Sequence, residues 1–553
     1  MLSNLSQKLL KITLPNSSMT KYIVVTGGVI SGVGKGVASA SIARIMKEYG
    51  FSVTAVKIDP YFNCDAGTLR PTEHGEVWVS DDGGETDQDL GTYERFLGTS
   101  IPKKNSITSG QIYKNIIEKE RRGEFLGETV QFIPHIPEEI KQRIKNAGEG
   151  YDICIVEIGG TVGDYENLPF LLAARNLERE VGKENMINIL VSYLPTPSHI
   201  EEMKTKPTQM SIRLLEESGL KPDMILCRGK NALDAPRKKK IEVYANVSSD
   251  DVISMPDVTG EGRPNTLYIV PLELESENVG IKIMNKLKLA KKKEPNWSKW
   301  QERISNILNF KDKVKIAIVG KYIDTGDYNL QDSYVSIKEA IQHSGAKYKT
   351  KIEICWLNSK NLNENLEGID GIIIPGGFGK SGIDGKIAAI KNAREKNIPF
   401  LGLCYGLQLA VVEYARNVCS LDNANSTEID DKTPFPVVDI LPEQKSVGEK
   451  GGTMRLGSQK AIIKEGSIVK KIYKSNEVYE RHRHRYEVNP EYHTILEKKG
   501  LVLSGKSPDG KLVEFIEIPE HKFFVATQAH PEFKSSFLNT SPLFDAFIEA
   551  MKN

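Results

Sequence analysis

The chain has almost no net charge: 74 Lys and Arg stand against 73 Asp and Glu, a formal +1 at pH 7. That excludes a chain-wide electrostatic grip on nucleic acid or an anionic membrane, though not local basic patches. There is no C-x-x-C pair. The six cysteines (Cys64, Cys154, Cys227, Cys355, Cys404 and Cys419) are widely scattered, which argues for reduced thiols in the cytoplasm and against a zinc knuckle or a disulfide framework. No uncharged apolar run reaches the ~18–20 residues that a bilayer span needs. The longest, residues 400–412, contains Gln408 and stops at Glu413. Internal repeats and low-complexity tracts are lacking too. With 39% hydrophobic and 27% charged residues the composition is that of a folded protein, not a disordered, collagen-like or coiled-coil one.

At 553 residues the chain is too long for one ordinary domain. Residues 1–18 carry Lys8 and Lys11 but no acid and no Arg. A transit peptide is normally Arg-rich, so this extension is expected to be a disordered tail or the product of an upstream start before Met19. From there, short apolar runs alternate with helical patterns. Runs at 22–26, 53–57, 152–156, 187–193 and 224–227 are apolar throughout, the mark of parallel strands buried on both faces. Amphipathic stretches such as 36–49 and 136–147 lie between them. The pattern breaks at the Lys-rich segment from Lys286 to Pro295, is followed by a helical stretch at 297–308, and restarts with strand-like runs at 314–319, 351–357, 371–375, 399–403 and 523–528. The fold class is therefore α/β, with two doubly wound domains at 19–285 and 313–553 joined by a linker at 286–312, and with ligands at the carboxyl ends of strands.

The first run leads into Gly27-Gly28-Val29-Ile30-Ser31-Gly32-Val33-Gly34-Lys35-Gly36 and then a helical pattern. Glycines let successive backbone N–H groups turn inward, the helix start adds positive potential, and Lys35 supplies a mobile charge for outer phosphates. The match to a P-loop is imperfect: the first Gly is one residue too far away, and Gly36 stands where a Ser or Thr is usual. A hard divalent ion must then find its oxygens elsewhere. The stretch from Asp81 to Asp89 packs five acids into nine residues, and Glu157 lies at the end of a buried strand. Lys57 ends another strand and should face the same crevice. Lys204-Thr205-Lys206-Pro207-Thr208-Gln209 is a further basic element that reads equally well as a surface loop. These features describe phosphotransfer or ligase chemistry.

In the second half, residues 399–408 read Pro-Phe-Leu-Gly-Leu-Cys-Tyr-Gly-Leu-Gln. A strand, then Gly-x-Cys-x-Gly, then a helix is the nucleophile-elbow pattern with Cys404 as the nucleophile. A helix start favours the thiolate. Ala529-His530-Pro531-Glu532 follows the last strand and supplies a base and an acid to orient it. Pro375-Gly376-Gly377-Phe378-Gly379 offers backbone donors for an oxyanion. This is a thiol acyl-transfer site.

Gly-x-Cys-x-Gly with Pro-Gly-Gly upstream and His-Pro-Glu downstream resembles the class I glutamine amidotransferases. The front half resembles the CTP synthase family through the glycine turn, Lys57-Ile58-Asp59-Pro60-Tyr61, His74-Gly75-Glu76-Val77, Glu85-Thr86-Asp87-Gln88-Asp89-Leu90-Gly91, residues 156–164, residues 204–209 and residues 481–488. The resemblance runs from Met19 to the C-terminus. It implies ATP-dependent amination of UTP to CTP, with ammonia from glutamine carried to a 4-phosphorylated UTP. It places ATP on Gly32, Val33, Gly34, Lys35, Gly36 and Val37, with Lys57 near the transferred phosphoryl group, Asp257 and Val258 by the adenine, and Mg2+ on Asp89 and Glu157. It places UTP, and CTP as product inhibitor, on Ser31, Asp164, Tyr165, Glu166, Lys204 to Gln209 and Lys240. Cys404, His530 and Glu532 form the implied triad, with Gly377, Tyr405, Gly406, Leu407, Gln408, Glu428 and Arg485 around glutamine. The resemblance further implies a cytoplasmic homotetramer, GTP activation and filament assembly, with no organic prosthetic group.

One departure concerns GTP. Where the family commonly has Arg two residues after Pro-Gly-Gly-Phe-Gly, this chain has Ser381, preceded by Lys380; activation is expected to be weakened, or carried by Lys380. His74 has no assigned role, His135 is open between a core and a site histidine, and the run from Arg481 to Arg485 is left open, a solvated basic strand being one reading of it, with only Arg485 carried over as a ligand contact. Two other readings stay open. One is a cobyrinate-type amide synthase, which would lack the segment 204–209. The other is a regulatory ATPase with a vestigial amidase, which would need a broken triad.

Overall fold

The computed structural model describes residues 19–552 apart from 200–201, 260–262, 322–323, 326–327, 330, 361–365 and 441–452; the extension at 1–18 lies outside the described residues. The front half is built on a seven-stranded sheet. Its strands are β1 (Lys21–Gly27), β2 (Val53–Asp59), β3 (Ser106–Thr108), β4 (Ile153–Ile158), β5 (Met186–Tyr193), β6 (Met224–Gly229) and β7 (Val252–Pro256). Their order is β3-β2-β4-β1-β5-β6-β7 and every pairing is parallel. All five expected strands are present, each differing by a residue or two at its ends. β1, β2 and β4 are buried along nearly their whole length because helices cover both faces; this is why they read as continuous apolar runs. The helices that matter for the site are α1 (Lys35–Glu48), α2 (Gln88–Leu97), α3 (Lys206–Glu217) and α4 (Ala235–Ala245).

The segment at 286–312 is not a loose tether. Helix α5 (Ser298–Leu308) sinks Trp300 into the front-half core, where its indole N–H donates to the Tyr268 carbonyl at 2.7 Å and the Arg44 guanidinium lies 4.9 Å from its ring. The same cluster takes in Phe533 and Phe537 from the end of the chain, and the Phe537 and Tyr268 rings stack at 4.1 Å. One apolar core thus runs across both halves.

The second sheet contains β8 (Asp312–Gly320), β9 (Thr350–Asn358), β10 (Gly371–Ile374), β11 (Phe400–Leu403), β12 (Arg455–Ile463), β13 (Glu477–His484), β14 (Val502–Lys506), β15 (Val513–Glu517) and β16 (Phe524–Thr527). Its order is β9-β8-β10-β11-β16-β15-β14-β12-β13. The first five strands in that order are parallel and the rest antiparallel. Helix α6 (Val335–Tyr348) and helix α7 (Tyr405–Asn417) pack on this sheet.

β13 decides the open reading of the Arg/His run. Arg481 is 1% exposed; it donates to Asp81 Oδ1 and Glu94 Oε2 of the front half, both at 2.7 Å. Arg483 donates to Glu85 Oε1 at 2.8 Å. The strand is basic because it docks onto the acidic loop of the other half, not because it is solvated. Removing one member of a buried ion pair strands the other in a low-dielectric site. Arg481→Ala should therefore cost ~3–5 kcal/mol, against under ~1 kcal/mol for Lys145→Ala in the exposed pair with Glu180; guanidinium denaturation of the two variants side by side measures this.

Candidate active sites

At the front, β1 ends in a turn whose Gly32 and Gly34 have φ of 71° and 99°, values that favour glycine, and α1 begins at Lys35. The Lys35 ammonium is buried and donates to the Gly160 carbonyl at 2.7 Å. Burial pulls it below the ordinary lysine value, although Glu157 opposes this. Arg228, which the sequence reading missed, donates to the Gly32 carbonyl at 2.9 Å and to Asp257 Oδ1 at 2.7 Å, tying the turn to the expected adenine side.

Beside the turn, Lys57 reaches Glu157 Oε1 at 3.3 Å, Asp59 Oδ1 at 3.5 Å and Asp89 Oδ2. Burial works against its charge, yet these carboxylates hold it well above the usual lysine range. Tyr93 donates to Glu157 Oε2. Burial, together with Asp87, Asp89 and Glu157, pushes Asp59 up to about 8 despite Lys57, and Asp59 Oδ2 is buried with no hydrogen-bond partner among the described residues. The four carboxylates Asp59, Asp87, Asp89 and Glu157 thus outnumber the two ammonium groups Lys35 and Lys57. Among the described residues no three such side chains are placed to hold a metal ion as they stand, with Lys57 paired to Asp59, Asp89 and Glu157; the excess of carboxylate over ammonium is what would suit a divalent cation. The geometry also explains Gly36: a Cβ there would lie 2.6 Å from Asp89 Oδ1. The space a P-loop hydroxyl would use belongs to a carboxylate.

The expected uridine-nucleotide residues form an open rim. Ser31, Asp164, Tyr165, Glu166, Lys206 and Lys240 are exposed, and Asp164 accepts from Thr161 N at 2.7 Å. Residues 206–209 are not a loop but the first turn of α3. Thr205 and Thr208 are buried, and the Thr208 hydroxyl accepts from Ser192 at the end of β5 at 2.8 Å. Lys204 is half-buried.

In the second half, Cys404 joins β11 to α7 with φ 49° and ψ −98°. Such backbone strain in a non-glycine residue is what a nucleophile elbow stores. The Cys404 Sγ lies 3.7 Å from the Arg483 carbonyl and 3.6 Å from Gln528 Nε2. His530 Nδ1 lies 2.7 Å from Glu532 Oε1, with its ring stacked on Phe533. Burial alone would lower the imidazole, but Glu532 and a hydrogen-bonded Cys404 raise it to about 10. The Gly376 backbone presses on the same ring, since a Cβ there would lie 2.7 Å from His530 Cε1. These groups border a cavity of about 280 Å³ whose wall also includes Gly377, Phe378 and Arg485, and, from the front half, Leu69, Pro71, Glu76 and Val77.

Not every expected glutamine residue borders it. Leu407 and Gln408 turn into the core, where Gln408 Nε2 donates to the Tyr486 carbonyl at 2.9 Å; helical periodicity leaves only the start of α7 beside the thiol. Gly406 has the Ile374 carbonyl 2.3 Å from where its Cβ would be. Tyr405 and Glu428 instead hold the Gly379 peptide from both sides, at 3.0 Å and 2.6 Å. His135 is half-buried with its ring edge-on to Phe125, neither a fully buried core histidine nor part of either site, and His74 is exposed.

A thiol–imidazole–carboxylate centre on one α/β half, beside a second α/β half with a glycine-rich strand-to-helix turn, is the arrangement of a glutamine-dependent amidotransferase fused to an ATP-dependent synthase. Residues 21–289 match the family model described as CTP synthase N-terminus, and residues 329–550 match glutamine amidotransferase class-I. The CTP synthase of Methanocaldococcus jannaschii is 52% identical over 541 residues, covering 96% of this chain and 98% of its own; that of Pyrococcus abyssi is 50% identical over 539 residues, covering 97% and 98%. Among solved structures, the Trypanosoma brucei CTPS glutaminase domain with bound acivicin is 39% identical, covering 43% of this chain and 94% of its own, with a TM-score of 0.39. The chain belongs to the CTP synthase family, glutamine-hydrolysing ligases that use ATP to convert UTP to CTP in pyrimidine nucleotide biosynthesis. Among the described residues no helix is long and apolar enough to cross a membrane.

Two outcomes are expected from this geometry. Gly36→Ala displaces the Asp89 carboxylate and should lower CTP formation by about 100-fold while glutamine hydrolysis persists, as separate assays of the two products would show. Glu532→Gln removes the charge that outweighs burial at His530. A raised imidazole keeps its proton until the pH passes through about 10; in the variant the proton is lost earlier. The alkaline limb of glutaminase kcat should therefore move down by about one pH unit or more, as a pH–rate profile would reveal.

Proposed function

We propose that the two centres act as one sequence of steps, and the observation that carries this reading is the cavity bordered by Cys404 and His530 on one side and by Leu69, Glu76 and Val77 of the synthase half on the other. The Cys404 thiolate, paired with protonated His530, attacks the glutamine amide carbon. His530 gives its proton to the departing nitrogen, with Glu532 holding the ring. Water then cleaves the thioester and glutamate leaves. Arg485 and Gly377 border the space glutamine would fill, with Gly379 fixed by Tyr405 and Glu428.

In the front half, Lys35 and Lys57 neutralise the phosphoryl group as it passes from ATP to the 4-oxygen of UTP, which is otherwise a poor leaving group. Ammonia then attacks C4 and phosphate departs. Asp89 and Glu157, with Asp59 beside them, would hold Mg2+, which supplies charge compensation for the ATP phosphates. Ser31, residues 164–166, Lys206 and Lys240 form the exposed rim where UTP, or CTP as inhibitor, binds, with Lys204, Thr205 and Pro207 to Gln209 set deeper behind it. That exposure accords with a site completed by a neighbouring subunit of a homotetramer. GTP activation belongs to the same reading; Lys380 and Ser381 are both exposed on the loop after Gly379, so that activation is either weakened by the loss of the family Arg or carried by Lys380.

Cys404→Ala should lower glutamine-driven CTP formation by about 10³-fold or more and leave ammonium-driven formation in place. Measured as CTP absorbance with each nitrogen source, a loss of both would refute the two-site scheme.

A further inference from the structure

We infer that Glu76 is the receiving carboxylate of the nitrogen passage: supplied by the synthase half, it accepts an N–H of the ammonia freed at Cys404 and turns back the glutamate anion left behind. This role rests on the two-site reading above.

Three observations carry it. First, Glu76 borders the cavity shared with Cys404, His530 and Glu532 although it comes from the other half of the chain; the synthase residues beside it there, Gly67, Leu69, Pro71 and Val77, carry no charge. Second, its position is fixed. Ser336 N at the start of α6 donates to Glu76 Oε2 at 2.8 Å, the Ser336 hydroxyl also bonds the carboxyl, and Arg95 in turn donates to that hydroxyl at 2.8 Å. Arg95 itself lies 4.9 Å from the Trp78 ring, in the segment that continues from Glu76. Third, the environment makes Glu76 sensitive to what stands beside it. Burial pushes it up to about 7, Ser336 opposes this, and Glu532 across the cavity adds to the rise.

The chemistry of the two products then separates them. Ammonia is a neutral donor of three N–H groups, and above pH about 7, where Glu76 is mostly ionised, a carboxylate fixed by Ser336 can accept from it. Glutamate leaves the thioester as a new carboxylate, and bringing it toward Glu76 would place like charges together where little water screens them. Glu76 therefore admits one product of the thiol centre and refuses the other. The bland alternative is that Glu76 only caps α6 from across the domain boundary. Glu76→Gln separates the two readings, because an amide oxygen still accepts from Ser336 N while the negative charge is gone.

The experiment uses the full chain with Mg2+, ATP, UTP and glutamine, and measures CTP and glutamate in the same reaction. In Glu76→Gln the ratio of CTP formed to glutamate released should fall about threefold or more, with glutamate release outrunning CTP formation. Glu76→Asp, which keeps the charge, should retain more of that ratio than Glu76→Gln. An unchanged ratio in Glu76→Gln, or equal losses in both variants, would overturn the assignment and leave Glu76 as a helix cap. Unmodified protein that makes no CTP from ammonium would bring down the two-site scheme itself, and this role with it.

Discussion

The structure depends on one strand, β13, whose two kinds of group do different work. Its main chain builds the thiol centre: the Arg481 carbonyl accepts from His530 N at 2.8 Å, and the Arg483 carbonyl lies 3.7 Å from the Cys404 sulfur. Its arginine side chains reach the other way, to Asp81, Glu94 and Glu85 of the synthase half. A strand alternates its side chains between faces, so Arg481 and Arg483 share one side while His482 and His484 share the other. There the two imidazoles meet at 2.9 Å, and burial holds both well below the ordinary histidine value. The strand's own guanidinium groups thus all face the docking side at these positions, while the histidine side meets the buried pairs of Arg455 with Glu487 and Glu514. Because a buried charge is tolerated only when paired, the arginines also select a single register between the halves. The register that pairs them is the one that brings the thiol to the synthase wall.

The acidic stretch from Asp81 to Asp89 is the counterpart of that strand. It looks like one feature in sequence, but the fold divides it. Asp81 and Glu85 serve the amidase half, whereas Asp87 and Asp89 belong to the cluster around Lys57. Only a few residues separate the two duties. A shift in the docking contacts would therefore be felt at the phosphate end within a short length of backbone, much of it pinned: Trp78 lies between the guanidinium groups of Arg95 and Arg481, at 4.9 Å and 5.2 Å.

What the sequence made legible follows from the range of the interactions involved. Buried parallel strands, the glycine turn, the elbow at Cys404 and the His-Pro-Glu run are each set by neighbours within a few residues, and each shows in local pattern. The pairing of Arg481 with Asp81 spans 400 positions and leaves no local trace; a docked basic strand and a solvated one have the same spelling. Lys204 to Gln209 was undecided between site and loop because the burial of Thr205 and Thr208 depends on β5, which comes earlier in the chain. Gly36 departs from the P-loop pattern in sequence, and the reason lies far along the chain, in the Asp89 carboxylate that fills the space its side chain would take. The resemblance places Leu407 and Gln408 beside Tyr405 around glutamine, and only the helix geometry shows that their side chains turn inward.

The need for rigid docking follows from the chemistry of the nitrogen itself. Ammonia in water near neutral pH is mostly ammonium, which has no lone pair to offer a carbon centre. Under the proposed two-site scheme, nitrogen freed at Cys404 keeps its nucleophilicity only while walls, rather than solvent, surround it. The cavity of about 280 Å³ supplies such walls from both halves, so its enclosure is only as good as the fit between them. The shared core of Tyr268, Trp300, Phe533 and Phe537 and the arginine pairs of β13 hold that fit by different means, one by apolar area and one by charge. Phe533 belongs to both devices, since it packs in the shared core and stacks on His530. The residue that closes the halves together also steadies the base that releases the nitrogen, so loosening the junction would degrade catalysis and containment at once.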